Sequence, residues 1–273
     1  MKTEIKKNKI YTGSYKVTTY DADPFGYAKP SSLMNYMQDA SGMHAFEWGL
    51  SVFDLFTEGK SWVISRYHLK IYNRPPIGKE IIIKTWPSTL QNLFILREFE
   101  ASTNDHQIIA KATISVAMID TKTKKPIPLK RTESLENTAT PTQDSASTHF
   151  SENLFTPMRA IADDFAPLPK VSNLTRELVL PVMLRDLDVN GHVNHVVYAQ
   201  WALEAVPTIT WKTHHLTSIE INFKAEVLHG NQIISKIEAS PHSEKNEIVF
   251  FHQIFHKENG SELTRLRTIW SLK

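Results

Sequence analysis

The spacing of apolar and polar residues goes through the same sequence of changes twice along this chain. Tyr11–Tyr20 alternates, which predicts a strand with one face buried. After Pro30 the spacing becomes helical: Leu33, Met34, Met37, Ala40, Met43 and Phe46 mark a buried helix over Ser31–Trp48. Strand-like runs follow at Trp62–Tyr72, Lys79–Trp86, Leu93–Ser102 and Gln107–Ile119, punctuated by Pro75-Pro76-Ile77-Gly78 and Asn104-Asp105. The order then returns. Leu178–Leu184 reads as a strand, and Val197, Trp201 and Ala205 predict a helix starting near Asn194. Strands are predicted at Thr217–Val227, Gln232–Ala239, Glu247–His256 and Glu262–Leu272, with turns at His229-Gly230 and Glu258-Asn259-Gly260. One strand, one long helix and four strands predict an α+β unit in which a curved antiparallel sheet wraps a single apolar helix. Two such units in one chain can pair their sheets within a monomer, and a homodimer is equally open.

Between them the text changes. Thr132–Thr148 is rich in Ser, Thr, Asn, Asp and Gln, contains Pro141 and has no apolar period; Pro157, Pro167 and Pro169 follow. The expected division is therefore residues 1–130, a linker over 131–173 of roughly forty residues, and residues 174–273. Composition adds exclusions. Of 273 residues 41% are hydrophobic and 22% charged, with a net charge of +2, so no strong field points to nucleic acid. With no cysteine there is no disulfide, thiolate ligand or cysteine nucleophile, which fits a reducing compartment. The start, Met1–Lys7, is polar and lacks the apolar segment of a secretory signal, and no apolar run spans a bilayer. A cytoplasmic protein is the expectation.

Superposing the two units locates the chemistry. Asp21, Asp23 and Gly26 match Asp186, Asp188 and Gly191 at a constant offset of 165 residues. The copies differ at particular places: Asn190 stands opposite Phe25, His192 opposite Tyr27, and Glu226 opposite Arg74 once Gly78 is set against Gly230. Asp188, Asn190 and His192 alternate, so an extended backbone sends their side chains to one side. The helix start beside them offers N–H groups where negative charge is favoured. Asp and Asn in this setting also serve as turn and capping residues. The asymmetry nevertheless suggests chemistry in the second unit and binding or shape in the first, where Met34, Met37 and Trp48 are the candidates for lining an apolar pocket. Lys122, Lys124, Lys125, Lys130 and Arg131 cluster around a predicted loop. Such a run is usually a solvated face, and Lys122, Lys124, Lys125 and Arg131 are the candidates for meeting an acidic partner.

Asp188-Val-Asn190-Gly-His192-Val-Asn194, followed by Tyr198 and Trp201, resembles the motif of the acyl-acyl carrier protein thioesterases, the FatA/FatB-type enzymes of plants and their bacterial relatives. Glu226, after Asn222-Phe-Lys-Ala, stands at the spacing that family shows for a catalytic Glu. The resemblance runs from about Tyr11 to Leu272. It implies a tandem double hotdog with the site in the second unit, and hydrolysis of fatty acyl-acyl carrier protein with release of free fatty acid. Gly191 replaces the Gln usual in plant members and Val227 the Cys, so a water-based route through Glu226 is expected. Asp188, Asn190, His192 and Glu226 are then the catalytic candidates. Glu226 would activate water, if burial raises its pKa toward neutrality. His192 would orient that water or protonate the leaving thiolate. Asn190 and backbone N–H groups would hold the oxyanion, and Asp188 would orient Asn190 or His192. No metal and no cofactor is expected, although His192, His195 and Asp188 lie close in sequence. The implied partner is the acidic carrier protein with its phosphopantetheine-linked acyl chain. An acyl-CoA thioesterase of the same fold and a non-catalytic acyl-binding protein are the alternatives.

Overall fold

A computed structural model describes residues 8–132, 143–144, 147–241 and 246–273. The polar start Met1–Lys7 and the Ser/Thr-rich stretch around Pro141 lie outside the described residues. The chain separates into two compact units, one of residues up to Ser65 with Asn73–Ala162, the other of Arg66–Tyr72 with Asp163–Lys273.

The first unit contains β1 (Tyr11–Lys16), α1 (Pro30–Glu47), α2 (Val52–Thr57), the start of β2 (Lys60–Ile71), β3 (Glu80–Gln91), β4 (Phe94–Ser102) and β5 (Ile108–Asp120). Its strands lie in the order β1-β3-β4-β5-β2. The short strands β6 (Leu129–Thr132), β7 (Gln143–Asp144) and β8 (Ser147–Ser151) form a separate small sheet, in which β6 and β8 run parallel. Pro30 opens α1 at a position that needs no N–H partner, and the helix packs on β1 and β3. Leu33, Met34, Met37 and Ala40 are fully buried, as their spacing requires. The stripe then continues through His44 and Trp48, whereas Met43 and Phe46, expected on the buried face, are exposed. At about 100° per residue His44 returns to within about 20° of Met37, whereas Met43 and Phe46 lie about 120° and about 180° away from it. His44 tolerates burial because Nε2 meets the Asn8 carbonyl at 2.9 Å and Nδ1 faces the Arg97 guanidinium at 3.1 Å.

The second unit repeats this plan with β9 (Arg176–Pro181), α3 (His195–Glu204), α4 (Thr208–Thr213), β10 (His214–Phe223), β11 (Gln232–Ala239), β12 (Glu247–His256) and β13 (Glu262–Leu272). Its strand order, β9-β11-β12-β13-β10, is the same permutation as in the first unit. α3 packs on β11, β12 and β13. Residues 66–70 of β2 pair antiparallel with β10, from Asn222↔Arg66 to Ser218↔Lys70, which places the end of that strand in the second unit.

The described part of the stretch expected as a linker is packed. Phe150, Leu154 and Phe155 join Trp48, Leu50, Leu55, Ile95, Met118 and Leu129 in an apolar cluster. Arg159 pairs with the fully buried Glu98 at 2.8 Å. Beyond Asp163 the same stretch belongs to the second unit: Val171 N–H donates to Gln253 Oε1 and Arg265 Nη1 to the Leu168 carbonyl. Single anchors of this kind bury apolar area without the periodicity that a regular element shows.

Candidate active site

The loop Leu187–Val193 closes on the carboxylate of Asp188. Oδ1 accepts the N–H of Asn190 at 2.8 Å and that of His192 at 3.2 Å. The Asp188 N–H donates to the His192 carbonyl at 2.7 Å, and Gly191 N–H returns to the Asp188 carbonyl. Gly191 takes φ 74°, a left-handed conformation that favours glycine. Asp188 thus orients Asn190 and His192 through their backbones. Asn194 then starts α3, its Oδ1 accepting Val196 N–H at 2.9 Å while its carbonyl accepts Val197 N–H. The loop and helix-start amides at Asn190, His192, Val196 and Val197 are therefore already engaged. The side-chain amide of Asn190 has no hydrogen-bond partner among the described residues.

Glu226 lies in the segment after β10. Its Oε2 is 3.4 Å from His192 Nδ1, with the two side chains 50% and 34% exposed. The burial expected to raise this carboxylate is not in place; half of its surface is open. Tyr198, buried on α3, completes the surroundings: its hydroxyl lies near the Val227 N–H and the Glu226 and Asp188 carboxylates. Burial above all, with the two carboxylates, pushes its phenol up, so it stays a neutral hydroxyl. Tyr198 falls inside the sequence motif, but only the fold shows that it meets the Glu226 segment. His195 points to other company. Its ring stacks on Tyr67 at 5.6 Å and meets Phe223 edge-on, and burial pushes it down to about 4. His192 and His195 therefore serve different surroundings, and among the described residues no cluster of His, Asp and Glu is arranged to hold a metal ion.

The first unit repeats the loop and replaces the chemistry. Asp23 Oδ1 accepts Phe25 N–H at 2.9 Å and Tyr27 N–H at 3.2 Å, and Gly26 takes φ 82°. Arg74 pairs with Asp23 and lies over the Tyr27 ring at 5.6 Å. An arginine–tyrosine contact thus occupies the place where the second unit has Glu226 and His192.

The remaining candidates are dispersed. Met34 and Met37 are buried on α1. Trp48 is buried in the apolar cluster, its indole N–H directed to the Asn8 carbonyl at 3.3 Å. Lys122, Lys124 and Lys125 are exposed on the turn after β5, which Asp120 holds by accepting the Lys122 and Thr123 N–H groups. Arg131 is on β6, its guanidinium over the Phe155 ring at 4.8 Å.

This architecture is that of the double hotdog thioesterases. The 12:0-ACP thioesterase from Umbellularia californica superposes with a TM-score of 0.82 at 21% identity, over 100% of both chains. An acyl-ACP thioesterase from Bacteroides thetaiotaomicron superposes with a TM-score of 0.77 at 23% identity, over 98% of this chain and 100% of its own. Residues 8–133 match the acyl-ACP thioesterase N-terminal domain and residues 171–272 the C-terminal domain. The chain therefore belongs to the acyl-ACP thioesterase family, and it is a thioester hydrolase. In sequence it is 24% identical to the dodecanoyl-[acyl-carrier-protein] hydrolase of Umbellularia californica over 275 residues, 97% of this chain and 68% of that protein. No helix among the described residues is long and apolar enough to cross a membrane.

Proposed function

We propose that the second unit hydrolyses the thioester of fatty acyl-acyl carrier protein through Glu226, His192 and Asn190. The observation that carries this reading is the Glu226–His192 contact of 3.4 Å beside a loop whose backbone Asp188 fixes. Glu226 takes a proton from water as the water oxygen attacks the carbonyl carbon. The carbonyl oxygen becomes an oxyanion, which the Asn190 amide meets. Collapse breaks the carbon–sulfur bond, and the proton that Glu226 took from water passes through His192 to the departing thiolate. The products are a free fatty acid and the carrier's thiol. Asp188 and Tyr198 hold the loop and the Glu226 segment.

In the same reading the first unit holds the acyl chain, with α1 at Met34 and Met37 and the nearby Trp48 setting its length, and Lys122, Lys124, Lys125 and Arg131 meet the acidic carrier. The cysteine-free composition supports action in the cytoplasm. Matched acyl chains on carrier protein and on CoA, with thiol release followed in both, test the substrate. Faster turnover of the carrier-bound chain is expected. Preference for acyl-CoA moves the protein to the CoA-dependent class, and binding without thiol release leaves an acyl-binding protein.

A further inference from the structure

The two segments that carry the candidate site also carry exposed apolar side chains. Leu184 and Val189, on the Asp188 side, are 70% and 74% exposed, and Leu228, two residues after Glu226, is 51% exposed. The loops are joined in two places. Val182 N–H donates to the Asn231 carbonyl at 2.9 Å, and Glu226 meets His192. These contacts tie the segment of Leu184 and Val189, which flank Asp188 in the chain, to the segment of Leu228, which follows Glu226. Arg185 stands among them with its side chain 82% exposed, and its Nε is 4.0 Å from Asp186 Oδ1. The other Asp186 oxygen accepts Met183 N–H at 2.8 Å. Local folding does not need this exposure, because backbone bonds and the Asp186 and Asp188 carboxylates hold the loop. Isolated apolar residues on a surface are ordinary; several around the mouth of a site mark a contact.

We propose that Leu184, Arg185, Val189 and Leu228 form the rim on which the carrier protein docks, Arg185 meeting a carboxylate or phosphate of that partner. This rests on the reading that the thioester is cleaved at Glu226 and His192. A thioester that reaches Glu226 brings the protein end of its arm against whatever surrounds the opening. The carrier is acidic, and Arg185 is an exposed cation there. Of the carboxylates nearby, Asp188 is held by the Asn190 and His192 N–H groups and Asp186 by the Met183 N–H, while the half-exposed Glu226 faces His192.

The test is direct binding, which does not depend on turnover. A fluorescent holo-acyl carrier protein is titrated with the wild type, Arg185→Glu, the double variant Leu184→Ser/Val189→Ser and the triple variant Lys122→Glu/Lys124→Glu/Lys125→Glu, with Glu226→Gln beside them. Both rim variants are expected to melt at the wild-type temperature, as exposed substitutions do. They should weaken binding by about tenfold, and added salt should shrink the loss for Arg185→Glu alone. Glu226→Gln should bind normally, so a failed catalytic assignment stays separate from a failed docking surface. Unchanged binding in both rim variants overturns the proposal, as does a loss confined to charge reversal at Lys122, Lys124 and Lys125. So does a rim variant that alters only the oligomeric state, which would make the rim a contact between copies of this chain.

Discussion

Asp188 and Asp23 do the same structural work in two settings. Each carboxylate accepts two backbone N–H groups and shapes a loop that ends at a helix start. Only Asp188 shapes a loop bearing Asn190 and His192. Replacing either by alanine removes hydrogen bonds to a charged group, a loss of about 2 kcal/mol. Asp188→Ala should therefore lower the melting temperature by a few degrees, and Asp23→Ala by more, because it also strips the largely buried Arg74 of its partner. Steady-state kinetics separate them: kcat falls with Asp188→Ala and stays close to wild type with Asp23→Ala. Equal kinetic losses would mean that the loop geometry of both units supports the chemistry. Asn190→Ala should lower kcat with little change in KM, since the oxyanion exists only beyond the ground state. A rise in KM alone would make Asn190 a binding residue.

At the scale of elements, α1 and α3 take equivalent places in the two units, and the proposed function puts them to different uses. Met37 on α1 and Ala202 on α3 are both fully buried. Each methylene of an acyl chain contributes roughly 0.8 kcal/mol on burial, so two are worth about tenfold in affinity. Met37→Trp should shift chain-length preference toward shorter acyl groups while turnover of the preferred short substrate persists. Ala202→Trp should depress all chain lengths together, because α3 carries Tyr198 against the Glu226 segment. Both enlargements carry an overpacking cost of about 1–3 kcal/mol, so preference across a substrate series, rather than absolute rate, is the readout. A uniform loss with Met37→Trp would refute the division of labour. Helix phase was the part of these elements least legible in sequence. Met43 and Phe46 look as apolar as Met37, and the buried alternative, His44, is a polar residue made acceptable by Asn8 and Arg97. The short helices α2 and α4 escaped notice because six residues cannot display a period.

For the whole molecule, the repeat made the fold readable. Strand, helix and four strands occur in both units, and the same strand permutation emerges in each. The motif residues fell together because they are adjacent in the chain, and Glu226 joined them through its spacing. Unreadable were contacts made across strands, such as Tyr67 against His195, and the anchoring of Phe150, Leu154 and Phe155 in a stretch without periodicity. The fold also buries histidines in a way that sets its acid tolerance. His252 and His44 are fully buried, and burial pushes both from 6.5 down to about 3, with the Arg97 charge adding to the effect at His44. The unfolded chain binds those protons at higher pH than the folded one, so stability is fully present above 6.5 and is lost as pH falls toward 3. Each histidine contributes a slope of about 1.4 kcal/mol per pH unit in that window. His252→Gln should flatten the dependence of unfolding free energy on pH between 6.5 and 4 by about one such slope. An unchanged slope would show that His252 is protonated in the folded protein.

The claim at the centre is that Glu226, across from His192, is the base of a thioester hydrolase whose first unit supplies no reacting group. The most direct measurement is kcat on acyl-acyl carrier protein for Glu226→Gln, with melting temperature and acyl-carrier binding recorded on the same preparation. Loss of turnover by about a hundredfold or more is predicted, with melting and binding unchanged. Turnover within a few-fold of wild type would contradict the account and remove Glu226 from the reaction.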